Sequence, residues 1–132
     1  MQDTKYKTSE RDTAQTKIFN LEKRTFIFAK DVREFVHQLS RSLVNEADMR
    51  QLIRSSGAVG ANYIEANDAL GSKDFLMRLK IARKEAKESK YWLELLEPSC
   101  NKSTVIIDQG LISEAEELVK ILSAMISKRQ TK

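Results

Sequence analysis

The sequence predicts an all-α protein, an up-down-up-down bundle of four helices. Apolar residues recur at three- and four-residue intervals in four successive stretches, which is the spacing of one buried helix stripe. Only four glycines and one proline interrupt 132 residues. Val, Ile and Thr show no alternating runs, so a sheet is not expected. With 41% hydrophobic and 32% charged residues, the chain has the balance of a globular helical domain and not of a disordered one.

Residues 1–20 are rich in Thr, Ser, Lys, Asp and Gln and are expected as a flexible tail, with the bundle over 21–132. The first helix is expected over residues 25–45, burying Phe28, Val32, Phe35, Val36, Leu39 and Leu43. His37 points off that stripe and reads as a surface residue. The second helix is expected over 46–67, with Leu52, Ser56, Val59 and Tyr63 facing inward beside Ile53, Gly60 and Ile64. Gly57 and Gly60 each weaken a helix by up to ~1 kcal/mol relative to alanine, and are best explained by close helix–helix approach. Gly71 is expected as a left-handed stop, and Ser72 as the cap of a third helix over 73–97 with Asp74 in its first turn.

That third helix is apolar on two sides. At ~100° per residue, Phe75, Leu79, Ala82, Ala86 and Leu93 fall within ~60° of one another, while Met77, Ile81, Trp92 and Leu95 form a roughly opposite stripe. One stripe serves the core of a bundle. The second is expected to meet another copy of the chain. Between them runs a ribbon of Lys73, Lys80, Arg83, Lys87 and Lys90. Pro98 ends the helix. Residues 98–110 are expected as a loop in which Val105, Ile106 and Ile107 tuck under the bundle. Ser113 and Glu116 have the spacing of a capping box, with Leu111 as an alternative start, and the last helix, over about 111–128, is expected to bury Ala115, Leu118, Leu122 and Met125.

Little here supports catalysis. One histidine and one cysteine exclude most metal clusters and weaken any triad. Gly57-Ala-Val-Gly60 lacks phosphate-loop spacing. His37 has Glu34 three residues before it, but no second Glu-x-x-His pair exists to complete a carboxylate metal site. Glu85 and Glu88 lie beside Lys84 and Lys87 and are expected to be ion-paired. Arg54, Asn62 and Glu65 on the second helix are expected to make interhelix polar contacts. Arg54 and Glu65 are ~16 Å apart along the axis, too far to pair with each other. The reading is therefore a non-enzyme with neither cofactor nor metal. A single cysteine, no apolar leader and no run approaching ~18 apolar residues lead to an expected cytoplasmic location without a membrane partner.

Net charge is +4, and the window 73–90, with seven basic and three acidic residues, carries an equal excess. Two readings of the ribbon stay open: a nucleic-acid-binding face, or a solvated flank on a scaffold or protein-interaction module.

Three motifs in order carry a resemblance: Gln51-Leu-Ile-Arg-Ser-Ser-Gly-Ala-Val-Gly-Ala-Asn-Tyr-Ile-Glu-Ala66, Ser72-Lys-Asp-Phe-Leu76, and Ile81-Ala-Arg-Lys-Glu-Ala-Lys-Glu-Ser-Lys-Tyr-Trp-Leu93. Over residues 25–128 the chain resembles the bacterial four-helix-bundle family that includes proteins encoded in intervening sequences of the large-subunit ribosomal RNA gene. The resemblance implies a left-handed bundle assembled as a ring-like homopentamer. That family is also similar to the accessory protein of diversity-generating retroelements, a basic pentamer that binds nucleic acid and a reverse transcriptase. RNA, DNA and such a protein are thus the implied partners besides the chain itself. After Ala66, Asn-Asp-Ala-Leu-Gly stands where the commonest pattern has a glycine- and arginine-containing turn, so any role of that arginine is lost here.

Overall fold

In the computed structural model, which describes residues 20–131, four α-helices pack together and no strand occurs among those residues. Helix α1 spans Leu21–His37, α2 Leu43–Asn67, α3 Ser72–Leu96 and α4 Lys102–Gln130. A short 3-10 turn, Glu97–Ser99, holds Pro98 and follows α3. The tail expected over 1–20 lies, but for Asn20, outside the described residues.

The core follows the heptad-like stripes. Phe28, Val32 and Phe35 of α1 meet Leu52 and Val59 of α2, Leu79, Ala82, Ala86 and Leu93 of α3, and Ala115, Leu118 and Leu122 of α4, all fully buried. Helix α3 packs along both α2 and α4, and α1 lies against α2 and α4. Two buried hydroxyls, Ser55 and Ser89, bond across the α2–α3 seam at 2.9 Å, so neither enters the core unpaired.

Several boundaries differ from expectation, beginning with α1, which starts at Leu21 and not at residue 25. Helix α1 ends at His37 instead of continuing to residue 45, and Leu43 is exposed instead of buried. The reason is Ser42, whose Oγ accepts the Asn45 N–H at 3.1 Å and starts α2 early. Gly71 is no left-handed stop. Its φ of −158° is extended backbone, it occupies the cap position of α3, and Ser72 is already helical.

The expected loop 98–110 is mostly helix. Asn101 Oδ1 accepts the N–H groups of Ser103 and Thr104, while Thr104 Oγ1 accepts the Asn101 N–H at 2.8 Å. This reciprocal box, and not Ser113/Glu116, opens α4 nine residues earlier than expected. Ile106 consequently faces solvent instead of tucking under the bundle.

Candidate nucleic-acid interface

Helix α3 positions most of the candidate side chains, because its inner face is fixed by Leu79, Ala82, Ala86 and Leu93 and its outer arc must face outward. The basic ribbon divides in two. Lys73, Lys80 and Lys87 are exposed, and no carboxylate pairs with them among the described residues. They recur every seven residues, so they stand in a row with a rise of about 10 Å per step. Arg83 instead leans onto α4, where Nη1 donates to Ser123 Oγ at 3.2 Å. Lys90 pairs with Glu116 at 2.9 Å, and that hydrogen bond raises its pKa. Of the five expected side chains, three thus remain available to an anion and two are committed to the α3–α4 seam.

The second apolar stripe is likewise uneven. Met77 and Leu95 are 46% and 45% exposed, whereas Ile81 is half-buried. Trp92 packs against the core and against Tyr91, ring centroids 5.1 Å apart at 74°. Lys84 and Glu88 interrupt the stripe with an ion pair.

Two of the three polar positions expected to bridge helices, Arg54 and Asn62, reach α3, and Glu65 does not. Arg54 Nη2 lies 3.0 Å from Glu88 Oε1 and 3.3 Å from Glu85 Oε1. The hydrogen bond to Glu85, chiefly, raises the pKa of Arg54 above its ordinary value. Lys84 joins the same carboxylates, so Glu85 and Glu88 are ion-paired as expected. Asn62 accepts from Arg78 Nη1 at 3.2 Å and donates to the Ala58 carbonyl at 2.9 Å. Glu65 is exposed, and its side chain makes neither an ion pair nor a hydrogen bond among the described residues.

Three features went unread in the sequence. Arg24 and Glu114, ninety residues apart, form a bidentate pair at 2.7 and 3.0 Å between α1 and α4. Asp108 is fully buried with both carboxylate oxygens unpartnered, and burial pushes its pKa up to about 7. Phe26, 66% exposed, stands on the polar side of α1. Only Phe26 left a signal, an aromatic off the stripe of its own helix. Among the described residues no group of three or more His, Cys, Asp or Glu side chains is placed to hold a metal, and no helix is long and apolar enough to cross a membrane.

Against known proteins, the sequence model of the 23S rRNA-intervening sequence protein family matches residues 19–127. The chain belongs to that family. A solved structure of the fold, from Bacteroides thetaiotaomicron, is described as a protein of unknown function from the S23 ribosomal protein family. It is 30% identical to this chain, with a TM-score of 0.67 over 80% of this chain and 94% of the other. No curated protein matches. Membership in the family thus agrees with the three motifs on α2 and α3, and fixes no ligand by itself.

Proposed function

We propose that this member of the family is a non-enzymatic, cytoplasmic, oligomeric bundle that binds nucleic acid, structured RNA foremost, through α3. The supporting observation is the row Lys73, Lys80 and Lys87: three exposed cations at even spacing with no carboxylate to neutralise them among the described residues. Such a row contacts phosphates and reads little sequence. We further propose an up-down-up-down, left-handed bundle in a ring-like homopentamer. Met77 and Leu95 are its subunit contacts, and a reverse transcriptase is a candidate protein partner. A ring multiplies the lysine row, and repeated weak phosphate contacts add through avidity.

The deciding measurement is a salt titration of RNA binding by wild type and by the triple variant Lys73→Gln, Lys80→Gln, Lys87→Gln. Every lysine–phosphate pairing removed from a single strand lowers the log–log slope by about 0.7. The variant's slope should therefore fall by ~2 per subunit engaged, with assembly unchanged. Equal slopes would refute the lysine row. Exposed apolar residues on the same helix favour a second reading, a scaffold whose lysines only keep it soluble, and that reading predicts no binding by the wild type at low salt.

A further inference from the structure

The α1–α2 side of the molecule carries a second basic surface, built differently from the lysine row. A trough of about 920 Å³ runs between the two helices. Its floor is low because Gly57, Ala61 and Ala29 present almost no side chain there. Phe26, 66% exposed, and Ile64, 43% exposed, stand beside it. This outward aromatic ring, on a helix that already buries Phe28 and Phe35, takes no part in the core formed by the described residues.

Charge surrounds the ring on one arc. Lys23, Lys30 and Arg33 lie three, four and seven residues from Phe26, so all four share one helix face. Arg33 is held in place: Nη1 donates to the Ala29 carbonyl at 2.9 Å, Nη2 to the Ile53 carbonyl at 3.4 Å. Its guanidinium lies over Gly57, within 3.4 Å of where a Cβ would stand. Among the described residues no carboxylate pairs with Lys23, Lys30 or Arg33, and of those residues Glu22 is the one acid lining the trough. An aromatic face set among cations is the arrangement that binds unpaired nucleotides, with bases stacking on the ring and phosphates meeting the cations.

We infer that the α1–α2 trough is a stacking site for single-stranded RNA, with Phe26 as the platform and Lys23, Lys30 and Arg33 as the phosphate contacts. This rests on the nucleic-acid reading above and extends it: the α3 row holds backbone, and the α1–α2 trough selects unpaired bases such as those of a loop. Positive charge distinguishes this occupant from a second copy of the chain, which would need to bring carboxylates to the same arc.

The test compares fluorescence anisotropy of a labelled oligouridine with that of an RNA duplex of equal length at low salt. The variants are Phe26→Leu, which keeps an apolar side chain without a π-face, Phe26→Trp, and the α3 lysine triple. Phe26→Leu should weaken oligouridine binding by about 5- to 10-fold, the lower part of the range for loss of one stacked base. Duplex binding should be unchanged, and Phe26→Trp, which keeps a π-face, should retain the wild-type single-strand affinity. If the lysine triple weakens binding while Phe26→Leu leaves oligouridine affinity intact, the trough inference fails and the α3 reading stands. Wild type that binds neither RNA overturns both. Dissociation of the assembly by Phe26→Leu, seen in light scattering, would assign the trough to a second copy and overturn the inference.

Discussion

A Cβ on Gly60 would stand 2.8 Å from Oγ1 of Thr25. Thr25 cannot step aside freely, because it is buried and its hydroxyl donates to the Glu22 carbonyl at 2.9 Å. The glycine thus sets how closely α1 approaches α2, and with it the shape of the trough above. Gly60→Ala should destabilise the fold by about 1–3 kcal/mol, as overpacking does.

Gly57 provides the opposite expectation three residues away. A Cβ there would meet only the far end of the Arg33 side chain, at 3.4 Å. Gly57→Ala should therefore gain about 0.5–1 kcal/mol of helix propensity. Urea denaturation of both variants checks the pair. Two changes of the same sign would show that the Thr25 contact does not govern the crossing.

The Arg24–Glu114 pair joins α1 to α4 with side chains 15% and 12% exposed. Removing Glu114 takes a bidentate carboxylate from a largely desolvated guanidinium, which costs more than replacing both side chains. Glu114→Ala should cost about 2 kcal/mol, and the double variant with Arg24→Met should recover part of the loss. A double-mutant cycle from thermal melts measures the coupling. A coupling near zero would make the pair decorative.

Asp108 makes stability depend on pH. Its carboxyl is raised from the usual carboxylate range to about 7 by burial, with Glu97 and Glu94 adding repulsion. The folded state therefore holds a proton that the unfolded chain releases near pH 4. Its contribution is complete below pH 4 and declines as pH rises, until it is gone above pH 7. Over that window the loss is on the order of a few kcal/mol. Asp108→Asn mimics the protonated acid and should flatten the profile between pH 4 and 7, exceeding wild type above pH 7. Denaturation midpoints at several pH values test this, and a wild-type profile as flat as the variant's would contradict it.

These features also show what the sequence made legible. Apolar spacing identified the buried faces of all four helices, because burial of a stripe is a local, periodic property. The start of α4 was missed because its first inward positions are Thr104 and Asp108, polar residues on the same stripe as Leu111, Ala115 and Leu118. The end of α1 was missed because Leu39 and Leu43 kept the helical spacing through a turn that Ser42 caps. Among the site residues, exposure of the α3 ribbon followed from its angle on the helix. The pairing of Lys90 with Glu116 and of Arg83 with Ser123 did not, since each depends on which face of α4 comes alongside. The partner of Asn62 proved to be Arg78, a link that tertiary packing alone creates.

That link carries its own expectation. Asn62→Leu removes the acceptor of Arg78 and should lower stability by about 1 kcal/mol, the usual worth of one such bond. Helix content should remain by circular dichroism. An unchanged melting midpoint would mean that Arg78 finds solvent equally well.

The proposed assembly is tested on Met77 and Leu95, both nearly half exposed on the outer arc of α3. Full burial of a large apolar side chain contributes about 1.5–3 kcal/mol, and these two have roughly half of that still to gain per subunit. Each subunit of a ring also gives and receives a contact, so the gain recurs at every interface. Met77→Glu combined with Leu95→Glu places charge at both positions without touching the core, since neither side chain is among the buried residues. The double variant should stay helical but fall to a smaller species by light scattering at micromolar concentration. Trp92→Glu is the contrasting control, because Trp92 packs against the core and its loss should lower the melting midpoint as well as the mass. If wild type and the double variant have the same mass, Met77 and Leu95 are solvated apolar residues and the subunit contact must be sought elsewhere.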